Sequence, residues 1–202
     1  MIYRVNEVFR SVQGEGTMTG VPATFIRLFG CNLRCPWCDT PQNETDVFTA
    51  DEQTLASWAK AFGLKWVILT GGEPTIYDLD PLVQALSSQG HLVALETNGT
   101  RGLGMSRIDW VCVSPKLGVR GGEAISRSTL GLADELKFVV GNEGDLMEVR
   151  RWLDENPWEG GYVCLQPNST VPGAVEVCYR TVVGEGYPWR LSVQIHKELG
   201  VR

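Results

Sequence analysis

The chain has 202 residues, 43% of them hydrophobic, and a formal net charge of −6. That length holds one sizeable core and is short for two, so residues 1–202 read as a single domain. The acidic balance, with no run of Lys or Arg, excludes a typical nucleic-acid footprint, and the longest apolar runs, such as "WVILT", fall far short of the roughly 20 residues of a membrane span.

In chain order, the first β-rich runs are "YRVNEVF" and "ATFIRLF". The opening segment has no apolar stretch with a cleavage site and reads as no signal peptide. A cytoplasmic, reducing location follows as the expectation, where cysteines serve cores, metals or catalysis rather than disulfides. "ADEQTLASWAKAF" predicts a helix, with an acidic first turn and an apolar stripe at Leu55, Trp58, Ala59 and Phe62. "KWVILT" is a strand. "DLDPLVQALSSQG" is a second helix, with Pro81 near its start and Gly90 past its end. The strands "HLVALET" and "IDWVCVS" follow without clear helices after them. "ELKFVV", the helix "GDLMEVRRWLDENP", "YVCLQ", a weaker helix "VPGAVEVCYRTVV" and a last strand "WRLSVQI" complete the chain. Alternating strands and helices, with several strands apolar throughout, favour a parallel α/β sheet. With fewer helices than strands, a partial, open barrel is expected.

Unusual polar segments sit where strands end: "GCNLRCPWC", "GGEP", "ETNG", "SPK", "GN" and "QPN". Parallel α/β folds bind ligands beyond the C-terminal ends of their strands, so these segments predict one shared site. Within it, Cys31, Cys35 and Cys38 crowd a short loop. A structural zinc site closes its tetrahedron with four protein ligands. Three thiolates suit a four-iron, four-sulfur cluster whose fourth iron is left for another ligand. A zinc site completed by Cys112, Cys164 or Cys178 is the alternative. Those three cysteines lie in apolar runs or on a helix face and read better as core.

The C-x3-C-x2-C loop, with Trp37 before its last cysteine and "TGGEP" after the next strand, resembles the radical S-adenosylmethionine (SAM) enzymes. Together with "EVFRSVQGEG", "LETNGT", "VSPK", "LQPN" and "LSVQIHK", it resembles the 7-carboxy-7-deazaguanine synthase family over nearly the whole chain. The resemblance implies a radical SAM fold, an open parallel β/α barrel, and a [4Fe-4S] cluster, SAM and Mg2+ as cofactors. It implies ring contraction of 6-carboxy-5,6,7,8-tetrahydropterin with loss of ammonia, started by a 5′-deoxyadenosyl radical that takes hydrogen from C6. A homodimer and an electron-donor protein such as flavodoxin are implied as well.

Carried over residue by residue, the resemblance puts Cys31, Cys35 and Cys38 on the cluster and Thr40 on magnesium. It puts Val12, Gln13, Gly14, Glu15, Arg27, Thr70 and His196 on the substrate. Trp37, Gly72, Glu73, Glu96 and Asn98 fall around SAM, with Ser114, Pro115, Lys116, Gln166, Pro167 and Asn168. Physical chemistry supports several of these. A guanidinium grips a carboxylate bidentately, and alternation sets Phe25, Arg27 and Phe29 on one strand face. Glycines in "GGEP" allow close backbone approach to the methionine amino group. Asp39 is by itself the more obvious magnesium ligand. His196 is expected at the end of the last strand, with His91 structural. Two departures stand out: Ile195 replaces a more usual Thr, and the end "ELGVR" lacks the family's C-terminal proline. Competing readings are a glycyl-radical-enzyme activase and a zinc-stabilised binding module.

Overall fold

The computed structural model describes residues 1–40 and 46–202. Among these described residues nine strands form one sheet: β1 (Ile2–Val12), β2 (Pro22–Leu28), β3 (Phe48–Asp51), β4 (Trp66–Gly71), β5 (Leu92–Thr97), β6 (Trp110–Val113), β7 (Glu135–Val140), β8 (Tyr162–Pro167) and β9 (Trp189–Leu191). Their order is β3-β1-β2-β4-β5-β6-β7-β8-β9. From β2 to β9 all neighbours are parallel, while β1 runs antiparallel to both β2 and β3. The parallel β/α core is therefore as expected, and the antiparallel flap at one edge is an addition to it. The sheet does not close, and β3 and β9 are its two edges.

The helices are α1 (Glu52–Phe62), α2 (Asp80–Ser88), α3 (Arg127–Leu130), α4 (Glu143–Glu155), α5 (Ala174–Glu185) and α6 (Ile195–Leu199). Asp51 caps α1 through the Thr54 amide, and Gly63 ends it in the left-handed region at φ 72°. The inward stripe of α1 is Leu55, Ala56 and Ala59; Trp58 lies outside it and packs edge-on against Phe48 at the sheet margin. Asn142 and Asp145 form a capping box on α4, which accounts for the "GN" segment as a helix start. The last strand is shorter than its sequence promised. β9 stops at Leu191, and the chain turns into α6, so His196 stands on a helix and not on a strand end.

Strand alternation sorts the side chains into two environments. Ile26, Leu28, Val67, Leu69, Val93 and Leu95 face outward and pack with α1 and α2. Val111, Val113, Leu136, Phe138, Val163 and Leu165 continue that outer core under α4 and α5. The alternate residues face inward. At the N-terminal ends of the strands they form an apolar floor of Phe9, Met18, Ala23, Phe25, Ile68 and Ala94, with Trp66 and Trp110 against it. Phe9 and Phe25 stack there at 5.0 Å with rings 7° apart. Above the floor the lumen turns polar.

The open side is bridged by the C-terminal segment. The Ile195 amide donates to the Gly14 carbonyl at 3.0 Å, and the Gly16 amide donates to Ser192 Oγ at 2.8 Å. At the far end Ser11 Oγ donates to the main-chain oxygen of Arg202.

Candidate active site

A cavity of about 890 Å³ opens at the C-terminal ends of the parallel strands. Cys31, Cys35, Cys38 and Thr40 line it, with Val12, Gln13, Gly14, Glu15, Arg27, Thr70 and His196. Trp37, Gly72, Glu96, Asn98, Ser114, Lys116, Gln166, Pro167 and Asn168 line it as well. Two residues assigned to SAM do not: Glu73 and Pro115 are both buried away from it.

Glu73 has a different task. Its Oε1 accepts from the Thr75 amide at 3.0 Å, Thr75 Oγ1 at 2.7 Å and Thr97 Oγ1 at 2.7 Å. Its Oε2 accepts from the Asn98 amide at 2.6 Å. This buried carboxylate ties "GGEP" to "ETNG" and so fixes the two strand ends relative to each other. The glycines before it also serve an internal purpose. A Cβ on Gly72 would lie 2.1 Å from the Gly30 carbonyl oxygen and 3.0 Å from Cys31 Cβ. The Gly72 amide donates to the Leu28 carbonyl at 3.1 Å, and the Glu73 amide to the Gly30 carbonyl at 2.8 Å. These two N–H groups are therefore engaged in holding the cysteine loop.

The cysteine loop is then a shelf supported by β4. The Leu33 amide donates to Cys31 Sγ at 3.4 Å, and the Cys38 amide donates to the Cys35 carbonyl at 3.2 Å. Burial pushes the Cys31 and Cys35 thiols up; the Leu33 amide offsets this at Cys31, and the Lys116 ammonium offsets it at Cys35. All six cysteines are free. Cys112, Cys164 and Cys178 are fully buried, with thiols raised by that burial, Cys178 to about 12. Among the described residues no three His, Cys, Asp or Glu side chains converge as a preformed metal site. The donor chemistry nevertheless fits a cluster held by three thiolates: three unpaired cysteines on one loop, facing one cavity. Among the described residues Gln166 Oε1, buried in the cavity wall, has no hydrogen-bond partner.

Below the shelf lies a buried charge network. Lys137 Nζ donates to Glu15 Oε2 at 2.6 Å and to Glu96 Oε2 at 2.8 Å. Gln13 Nε2 donates to Glu96 Oε1 at 2.9 Å, and its Oε1 accepts the Glu15 amide at 3.1 Å. Gln194 Nε2 donates to Glu15 Oε1 at 2.6 Å. Burial disfavours the Glu15 carboxylate, but the Lys137 charge and these hydrogen bonds outweigh it and lower its pKa to about 2. Glu96 shifts up, because burial and the neighbouring Glu15 outweigh its share of Lys137. Burial also works against the Lys137 ammonium, yet two carboxylates hold it charged. Lys137 was missed in the sequence. Its signal was a charged residue on the same face as Glu135 in an otherwise apolar strand.

Arg27 does face the lumen, as alternation predicted, with Phe9, Phe25 and Phe29 beside it. Its Nε donates to Glu7 Oε1 at 2.7 Å. Asp39 is engaged by Lys197 at 2.8 Å and Gln194 at 3.2 Å; burial raises its pKa, but these contacts hold it below the usual carboxylate range. The His196 ring covers Gly14 so closely that a Cβ there would lie 2.1 Å from Nδ1.

An open parallel barrel with three cysteines on the loop after its first parallel strand defines the radical SAM class. Residues 25–116 match the Radical SAM superfamily. The fold is shared with SuiB from Streptococcus suis bound to S-adenosylmethionine, at a TM-score of 0.52 and 15% identity over 81% of this chain and 48% of that one. The 7-carboxy-7-deazaguanine synthase of Bacteroides thetaiotaomicron is 43% identical, and that of Escherichia coli 37% identical, each over the full length of both chains. The crystal structure of QueE from Escherichia coli superposes with a TM-score of 0.84 at 34% identity, over 96% of this chain and 94% of that one. The chain belongs to the 7-carboxy-7-deazaguanine synthase family. It is a radical SAM enzyme, a lyase, and membership implies a [4Fe-4S] cluster and SAM. The activase and zinc-module readings are not favoured by these relatives. Among the described residues no helix is long and apolar enough to cross a membrane.

Proposed function

We propose that this enzyme converts 6-carboxy-5,6,7,8-tetrahydropterin to 7-carboxy-7-deazaguanine for queuosine biosynthesis. The observation that carries this reading is that the cysteine shelf, Arg27 and the Gln13–Glu15 network share one cavity. Cys31, Cys35 and Cys38 would hold the cluster, and SAM on it would supply a 5′-deoxyadenosyl radical. The chain's own residues then position the pterin. Arg27 takes the carboxylate. Gln13, the Gly14 backbone and Glu15 meet the amino and ring N–H edge, which a carboxylate kept ionised by Lys137 complements well. Glu96, Asn98, Ser114, Lys116 and Gln166 meet the cofactor from the opposite strand ends, and His196 lids the substrate side.

Magnesium is assigned to Thr40, since Asp39 is already paired with Lys197. A cytoplasmic homodimer drawing electrons from a flavodoxin-like donor completes the proposal. Supporting the donor, Arg34, Arg101 and Arg120 are exposed. Arg34 lies on the cysteine loop itself, and Arg101 follows Thr100, whose hydroxyl accepts from Asn32 Nδ2 of that loop at 2.8 Å, in a chain that is acidic overall.

The test is an anaerobic assay of iron-reconstituted enzyme with the pterin, SAM and a reductant. Stoichiometric appearance of the deazaguanine, with Thr40→Ala losing magnesium stimulation and Asp39→Ala keeping it, is the expected outcome. SAM cleavage without deazaguanine would overturn the substrate, and the reverse mutant pattern would move the metal to Asp39.

A further inference from the structure

The loop that follows β1 is fastened to β7 at two points. Lys137 Nζ donates to Glu15 on the loop at 2.6 Å. Two residues further along the loop, the Thr17 amide donates to Glu135 Oε2 at 2.8 Å, and Glu135 stands two residues back along the strand. Alternation puts Glu135 and Lys137 on one face of β7, so loop residues 15 and 17 meet strand residues 137 and 135 in reverse order. Glu135 is 1% exposed and does not line the cavity. Besides the Thr17 amide, its Oε2 accepts from Thr17 Oγ1 and, at 3.6 Å, from the Cys164 thiol. Its Oε1 packs on Gly16: a Cβ there would lie 2.2 Å from it, and Gly16 stands at φ 67° in the left-handed region. The second glycine of "QGEG" is thus what lets the loop lie against this carboxylate. The donors are an amide, a hydroxyl and a thiol, all neutral. Burying a carboxylate on neutral donors costs more than packing an apolar side chain beside the floor that Met18 joins. What the chain gains for that cost is the placement of the loop.

We propose that Glu135 is a register lock for the substrate loop: by seating Thr17 it fixes which loop residue reaches Lys137, and so presents Gln13, Gly14 and Glu15 to the pterin. The inference rests on the reading that this loop meets the amino and ring N–H edge of the substrate. A loop released at Thr17 can slip by one residue, and Lys137 then faces Gly14 or Gly16, neither of which has a side chain to offer it. Glu135 and Thr17 are positioning residues that act through Glu15.

The experiment measures equilibrium binding of the fluorescent probe 6-carboxypterin to reconstituted enzyme with SAM, and of SAM alone, below the melting temperature of each variant. Glu135→Leu should weaken 6-carboxypterin about tenfold or more, the scale of a lost hydrogen bond to a charged group. Thr17→Val, which keeps the amide and loses only the hydroxyl, should weaken it about threefold. Glu135→Gln retains an acceptor for Thr17 and should recover much of the affinity. The double variant Glu135→Leu with Thr17→Val should bind no worse than Glu135→Leu, because both changes release one contact. SAM affinity should stay as in wild type throughout. A merely structural role would lower the melting temperature and leave the pterin affinity of the folded protein unchanged. The lock is overturned if folded Glu135→Leu or Thr17→Val binds 6-carboxypterin as wild type, if the two losses multiply, or if SAM affinity falls with them. Should Glu135→Leu fail to fold, Thr17→Val alone decides by the same criteria. Glu15→Ala separates the two readings: if it leaves 6-carboxypterin binding intact, the loop does not meet the substrate and the foundation fails. If Glu15→Ala weakens binding while the Glu135 and Thr17 variants bind as wild type, only the lock is lost.

Discussion

Cys31, Cys35 and Cys38 should each be required for iron. Serine at Cys112, Cys164 or Cys178 should leave iron content intact and cost only stability, because these thiols are buried in the protein interior. Iron analysis of the six single variants checks this; cluster loss from Cys164→Ser alone would mean a fourth protein ligand. Lys137 gives a second test at the same scale. Glu15 titrates near 2 in the folded chain against 4.5 for an ordinary glutamate. Its contribution, about 3 kcal/mol by linkage, is present above pH 4.5 and lost as the pH falls toward 2. In Lys137→Met the two carboxylates lose their counter-charge. The variant should be destabilised by about 3–5 kcal/mol at pH 7 and recover part of that at pH 5, the opposite trend to wild type. Urea unfolding at both pH values decides it. Cysteine spacing was legible in the sequence because metal ligation constrains residue type and spacing together. Lys137 was not, because its role depends on Glu15 and Glu96, which are 122 and 41 residues away.

Element-scale features show where periodicity succeeds and where it fails. The helices α1, α2, α4 and α5 were readable from apolar stripes and caps, and the inward face of β2 from simple alternation. The final strand was misjudged because "WRLSVQI" alternates like a strand, while hydrogen bonds to Gly14 and Gly16 turn the chain into α6 instead. The "GGEP" glycines were recognised as a motif, but their packing against the cysteine loop is tertiary and leaves no local trace. That packing predicts that Gly72→Ala, whose Cβ would collide with the Gly30 carbonyl oxygen at 2.1 Å, forces β4 and the cysteine loop apart. Reconstituted iron should fall at least severalfold and the melting temperature should drop. Unchanged iron would mean that the loop adapts independently of β4.

At the scale of the whole molecule, one sheet builds two separate interiors. The outer one, under the helices, is apolar and stabilises the fold. The inner one grades from an aromatic floor to charged walls to the cysteine rim. Function was legible in the sequence because every rim segment follows a strand; the floor was not, because its members come from four strands and the loop holding Met18. That floor makes the lumen a depth gauge. Arg27 stands two residues above Phe25 on β2, a backbone rise of about 7 Å at roughly 3.3 Å per residue, and its guanidinium lies 5.7 Å from the centre of the Phe9 ring, so a carboxylate held there, as proposed, would sit just above the aromatic layer. On that placement a ligand's reach from the anchor up to the rim would be fixed in advance, whatever its affinity. Raising the floor should shorten the scale without touching the rim: Ala94→Phe, at a position now 3% exposed, should cut pterin affinity at least tenfold while SAM binding persists. Intact pterin binding in a folded Ala94→Phe protein would show that the substrate never sounds that depth. With the pterin placed as proposed, the gauge would select by length, and a substrate extended by one more ring would be refused by geometry before any bond to it was tested.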